Sequence, residues 1–139
     1  MPIRPENRWL YPIDWPELSK LVRFGRARGR CEHCRRPHLQ SVLHLGDGRW
    51  YDQASLAWRN GSGSVIVAPT LEEASVPGRT RVVLACAHLD HDPTNNSLKN
   101  LAALCQRCHM LHDASEHRRQ RRFNLHRKMA IRDLFGIPV

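Results

Sequence analysis

Four of the five cysteines stand in two C-x-x-C pairs, Cys31/Cys34 and Cys105/Cys108. Thiolates are soft donors, and four of them complete the tetrahedral shell that zinc takes in a closed structural site, whatever the length of chain between the pairs. A shell of that kind leaves no position for water or substrate, so this zinc is expected to hold structure and contribute no chemistry. Cys86 is left over and reads as a buried thiol. The opening MPIRPENRWL has no charged-then-apolar leader pattern, so the expected setting is soluble and cytoplasmic, where paired cysteines bind metal more often than they form disulfides.

Chemistry therefore has to come from other residues, and the histidines are the first place to look. His109 directly follows the last zinc cysteine, and His88 lies upstream, with Asn95, Asn96 and Asn100 between them. Imidazole titrates near neutral pH and serves both as a general base and as a metal donor. Rigid cysteine knuckles beside such groups make a frame for a reactive site. His33, His38, His44, His117 and His126 have no such context and read as surface or satisfied core residues. No histidine is followed by Glu two residues later, which argues against the open-zinc base deaminases.

The elements that must position these groups follow from punctuation and periodicity. Pro5, Pro12 and Pro16 favour an extended arm at the start of the chain. Asp14 and Pro16 open a short amphipathic helix over about 15–26, with Leu18, Leu21, Val22 and Phe24 at helical spacing. Val42 to Tyr51 reads as a hairpin turning at Leu-Gly-Asp-Gly, and Val65 to Val67 as a short strand. The run from Arg81 to Leu89 is the most strand-like segment and delivers His88. DHDPTNNSLKN over 90–100 is rich in turn formers and reads as a loop. Beyond Cys105 the chain is free of Gly and Pro until Gly136, consistent with one or two helices stopping at Gly136-Ile137-Pro138.

The stretch AHLDHDPTNN over 87–96, then Asn100-Leu101, then CQRCH over 105–109 resembles the HNH endonucleases, in particular the small phage-type members. The likeness is specific over about 84–113, includes the Cys31/Cys34 knuckle and extends loosely to the helix at WPELSKL. Residues 35–80 lie outside it. It implies an α+β fold with a treble-clef-like ββα-metal core, a four-cysteine structural zinc, an N-terminal helix and a basic C-terminal helix. The implied organisation is one domain over 1–139. An arm and helix occupy 1–30, the first knuckle and an inserted hairpin 31–80, the ββα-metal motif 81–113 and the basic helix 114–139. Leu101 to Leu104 would form the second strand, and the helix would start near Cys108.

By the same likeness His88 is the general base, His109 binds a catalytic divalent metal (Mg²⁺, Mn²⁺ or Ni²⁺), and Asn100 holds the loop so that His88 points correctly. Many members carry an acid or a histidine just before the base, where this chain has Ala87. Asp90, His91 and His112 are the candidates to replace that metal ligand. A second register, with Asp90-His91 as the acid-and-base pair, stays open beside the first. The setting implied is a bacterial or phage-infected cell.

The formal charge of the 139-residue chain is +9, from 22 Lys and Arg against 13 Asp and Glu, which suits a polyanionic partner. Charge is densest just after His109, at Arg118, Arg119, Arg121, Arg122, Arg127 and Lys128. Like charges crowded along one helix cost stability unless something neutralises them, which favours phosphate contact, with Phe123, Ala130 and Leu134 as a packing stripe opposite. The expected partner is double-stranded DNA and not a membrane, since no apolar run approaches the ~20 residues a spanning helix needs. The expected activity is metal-dependent hydrolysis of DNA phosphodiester bonds. The rivals are a zinc-stabilised module that binds nucleic acid without cutting it and a zinc finger that binds protein.

Overall fold

The computed structural model describes residues 3–136. The mixed α/β chain forms two units, one running to His109 and the other from Met110. The first unit holds two sheets and a short N-terminal helix. The second is helical.

Instead of the extended arm, residues Pro5–Leu10 form a 3-10 turn, because Pro5 at its first position already has the φ that a helical turn requires. The expected helix over 15–26 is present. Helix α1 covers Trp15–Lys20 and runs directly into a π-type turn at Leu21–Arg26. Asp14 precedes it without a side-chain cap, and the helix ends where Arg28 and Gly29 take left-handed φ values of 53° and 74°.

Strands β1 (Ser41–His44), β2 (Trp50–Asp52), β3 (Ala57–Arg59), β4 (Val65–Ile66) and β5 (Gly78–Arg81) make one antiparallel sheet in the order β4-β3-β2-β1-β5. The β1–β2 hairpin turns where expected, with Gly46 and Gly48 at φ 81° and 108°.

The run from Arg81 to Leu89 is not one strand. It breaks at Val82 and Val83, and β6 (Leu84–His88) belongs to a second sheet with β7 (Leu101–Cys105). At the break Val82 exchanges backbone bonds with Leu39 and Gln40, while the Gln106 side chain receives Val83 N–H at 3.0 Å and donates to the Arg81 carbonyl at 2.7 Å. The apolar run is continuous because Val82 and Leu84 are both core residues, 1% and 2% exposed, although the chain changes sheets between them. Helix α2 runs Gln106–Phe135, so it begins at the end of β7, two residues before Cys108. Gly136 follows at φ 61°, and Ile137 and Pro138 lie outside the described residues.

The main core packs Val42, Trp50, Val82, Leu84, Ala87 and Leu104 around the four paired cysteines. Trp50 is fully buried, and its indole N–H donates to the Cys34 carbonyl at 3.1 Å. A second cluster, Val22, Ala27, Leu101 and Ala103, seats the N-terminal helix on the β6–β7 pair, with Trp15, Leu18 and Cys86 at its edge. Arg26 locks the same joint by donating to Glu32 and to the carbonyls of Leu98 and Leu101. Glu32 in turn accepts from Ala103 N–H at 2.7 Å.

Candidate metal centre and histidine cleft

The two C-x-x-C pairs meet. Cys31, Cys34, Cys105 and Cys108 are all buried, and their sulfurs lie within 4.8 Å of one another, with Cys34 and Cys105 3.5 Å apart. Four sulfurs at ~2.3 Å from a tetrahedral zinc stand about 3.8 Å from each other, so the cluster is of the size that one ion requires. The chemistry of the donors fits as well. Close thiols without a cation cannot all ionise together: hydrogen bonds from their neighbours draw Cys31 and Cys105 down, Cys105 to about 7, while the same contacts push Cys34 and Cys108 far up. A divalent ion removes that conflict by stabilising all four thiolates together.

Local structure explains how the first knuckle turns so tightly. Arg35 takes a left-handed φ of 69°, its N–H bonding back to the Cys31 carbonyl, while Cys31 N–H bonds to Arg36. Gly63, at φ 84°, lies against this turn, and a Cβ there would stand 2.7 Å from Arg35 Cγ and 3.1 Å from the Cys34 carbonyl carbon. His33 was not singled out by its sequence context, yet its Nδ1 sits 3.5 Å from Cys108 Sγ. His38 and His44 are satisfied structural residues, bonded to Leu84 N–H and to the Thr80 hydroxyl.

Behind this centre lies a cleft of about 400 Å³ between the N-terminal segment and β6. His88 and His109 both line it, with Tyr11, Trp15, Arg23 and Cys86. His88 arrives at the end of β6 and His109 in the first turns of α2. The His88 imidazole stacks on Trp15, with centroids 5.0 Å apart at 15°, and Tyr11 meets it edge-on at 5.7 Å.

Its Nε2 is 2.9 Å from Asn96 Oδ1. The Asn96 amide nitrogen points at the carbonyls of Pro93 and Thr94, so the oxygen must be the atom that faces the ring. An amide oxygen only accepts, and Nε2 therefore carries the proton, leaving Nδ1 as the basic nitrogen of the neutral ring.

Asn100 acts on the loop and not on the ring. Its amide donates to Asp90 Oδ1 at 2.8 Å and to the Asn95 carbonyl at 2.9 Å, and its oxygen accepts from Asp90 N–H at 3.1 Å. Its carbonyl also receives Leu89 N–H. Asp90 lies past the end of β6, in the turn, so it does not continue the strand face of His88. Hydrogen bonds from Asn95, Asp92 N–H and Asn100 hold its carboxyl down at about 2, and the same bonds occupy both of its oxygens within the loop. His91 follows on the exposed turn at a left-handed φ of 62°. Ala87 is 2% exposed within the cysteine core and offers no donor atom.

By its sequence Asn96 reads either as an ordinary turn residue or as one that shapes the active loop, and Trp15 reads as a helix start. The position of Asn96 within PTNN carries a faint signal of its role. Trp15 carries none, because a stack across 73 residues of sequence is a tertiary fact. Cys86, expected to be buried, is partly buried at the edge of the cleft, and that burial pushes its thiol up to about 11.

The basic cluster at Arg118, Arg119, Arg121, Arg122, Arg127 and Lys128 belongs to the helical unit and is exposed there. Arg119 pairs with Glu116 at 2.8 Å. The expected packing stripe of that helix is not buried: Phe123 is 60% and Leu134 79% exposed. No helix among the described residues is long and apolar enough to cross a membrane. No family model, curated protein or solved structure matches the chain.

Proposed function

We propose that the chain is a metal-dependent endonuclease that hydrolyses phosphodiester bonds in DNA. The observation that carries this reading is the convergence of His88 and His109 on one cleft, with the His88 tautomer set by Asn96. His88 Nδ1 takes a proton from water as the water oxygen attacks phosphorus. The bond from phosphorus to the 3′ oxygen breaks, and that oxygen is protonated from solvent. Trp15 and Asn96 hold the ring in place, so little orientational freedom is lost at the moment of reaction. Asn100 positions the loop from behind.

The donor chemistry at His109, a cleft-lining imidazole, suits a divalent cation, whereas Asp90 is engaged within its own loop and His91 stands on the exposed turn, outside the lining of that cleft. Such a cation supplies stabilisation of charge on the phosphate and the leaving oxygen. The exposed arginines of the helical unit suit contact with the phosphates of a duplex, which positions DNA without reading its sequence.

Ala87 favours a second reading. A buried methyl where many of the endonucleases it resembles hold a metal ligand would be natural in a module that binds nucleic acid and does not cut. Supercoiled plasmid incubated with the purified protein and Mg²⁺, Mn²⁺ or Ni²⁺ separates the two. The nuclease reading expects metal-dependent nicking that is lost in His88→Ala and His109→Ala and kept in His91→Ala. Loss in His91→Ala alone moves the base to the other register, and binding without nicking under every metal leaves the non-catalytic module.

A further inference from the structure

The five-stranded sheet has two unlike faces. Alternation along a strand sends successive side chains to opposite sides, and here Val42, Trp50 and Asp52 are buried while Leu43 and Tyr51 point the other way. The register extends this outer face across the sheet: Arg79 stands opposite Leu43, Trp58 opposite Tyr51, and Ile66 opposite Trp58. Arg81 joins Arg79 on the same side of edge strand β5 and is likewise exposed. The Tyr51 and Trp58 rings are 5.7 Å apart, tilted at 56°, and both are partly open to solvent.

No carboxylate occupies any of these positions. Asp52 faces inward to Arg59 and Arg30, while Asp47 and Glu73, at the hairpin end, are engaged by Arg49. A cavity of about 210 Å³ opens beside Leu43, Tyr51, Gln53 and Arg79. None of these residues takes part in the cysteine centre or the histidine cleft.

We propose that this face binds single-stranded nucleic acid, with bases stacked on Tyr51 and Trp58 and the backbone phosphates on Arg79 and Arg81. Aromatic rings beside unopposed cations on one sheet face match a ligand that has a π-face and an anion in every repeat. In a duplex the base faces already stack on one another, so the rings would have nothing to take up. Strands lie ~4.8 Å apart, which places Arg79 on β5 and Trp58 on β3 about 14 Å from each other, within the span of a few nucleotides. The proposal goes beyond the nuclease reading and does not depend on it, because binding here needs neither His88 nor a second metal.

The test is fluorescence anisotropy of labelled oligothymidylate and oligouridylate of about twelve residues, a length within the usual site sizes for such surfaces. A hairpin duplex serves as control, with the full zinc-loaded chain and no added divalent metal. Trp58→Ala and Tyr51→Leu are each expected to weaken single-strand binding about tenfold and leave duplex binding unchanged. Arg79→Gln with Arg81→Gln keeps the core untouched and is expected to lower the salt slope by about 1.4, or two phosphates on a single strand. Quenching of tryptophan emission by the oligonucleotide, lost in Trp58→Ala, reports the stack directly.

Binding of only one of the two oligonucleotides would identify DNA or RNA as the source of the strand and still support the face. The proposal is overturned if the wild type binds neither. It is equally overturned if the aromatic variants bind as the wild type does, or if the arginine pair weakens duplex and single strand alike.

Discussion

Cys105 and His88 sit at opposite ends of one antiparallel pair, Cys105 across from Leu84 and His88 across from Leu101. At the first end four sulfurs are sealed in the apolar core. At the second an imidazole lies in an open cleft, with one nitrogen engaged by an amide and two aromatic rings fixing its plane. A closed shell of donors suits an ion that never exchanges its ligands, whereas an open cleft with a fixed tautomer suits a group that must pass a proton. The same two strands thus provide rigidity at one end and accessibility at the other.

The largest expected effect breaks the closed end. Cys105→Ser is expected to lose the zinc and with it the cooperative fold of the first unit, because the binding energy of a structural zinc, about 10 kcal/mol or more, is spent on folding. A chromophoric chelator assay on the wild type should return one zinc per chain, and circular dichroism of the variant should show loss of the sheet. Retention of a native melting transition without metal would mean that the cysteines are only core residues.

Next comes the buried charge that anchors the five-stranded sheet. Asp52 accepts from Arg59 at 2.8 Å, from Arg30 at 3.3 Å, and from the Ser55 hydroxyl and Ala54 N–H. Burial raises its pKa, but the bonds from Arg59, Ser55 and Arg30 outweigh that and bring it from 3.8 to about 2. A folded-state pKa below the unfolded value contributes stability that is present above pH 3.8 and is lost as pH falls through about 2. That contribution is about 2 kcal/mol. Asp52→Asn leaves two arginines facing a neutral amide and is expected to cost about 3 kcal/mol in urea unfolding at pH 7. The variant should also lose the share of acid sensitivity between pH 4 and 2 that comes from Asp52.

Asn100→Ala sharpens the comparison at the open end. It removes three hydrogen bonds from an exposed loop and none from the core. Plasmid nicking is expected to fall about 10- to 100-fold, the range for residues that orient a site from behind, with the zinc retained. A variant that nicks normally would show that the loop needs no clamp. The smallest effect is expected from Glu116→Gln, which removes an exposed pair with Arg119. Thermal melting should change by less than about 0.5 kcal/mol, whereas affinity for duplex should rise slightly as one acid leaves the basic helix.

The parts of this molecule that were legible in the sequence are those fixed by local chemistry. Two x-x spacings bring thiols into one shell, Leu-Gly-Asp-Gly turns a hairpin, and a stretch without Gly or Pro after Cys105 makes one long helix. The illegible parts depend on partners far along the chain. Val82 and Leu84 belong to one apolar run, but the Gln106 side chain and the Leu39–Gln40 backbone decide where the run changes sheets. The stripe at Phe123 and Leu134 predicted burial from spacing alone, and spacing does not supply a surface to pack on. Asn100 was found as a loop clamp through its place in a motif, whereas Asn96 and Trp15 reach His88 only once the chain is folded.

The most direct test measures zinc content and plasmid nicking on the same preparation of wild type and His88→Ala, with Mg²⁺, Mn²⁺ or Ni²⁺ added. One tightly held zinc is expected in both proteins, with nicking by the wild type and none by the variant. Nicking by His88→Ala at the wild-type rate, or a zinc-loaded wild type that nicks with no added metal, would contradict that expectation.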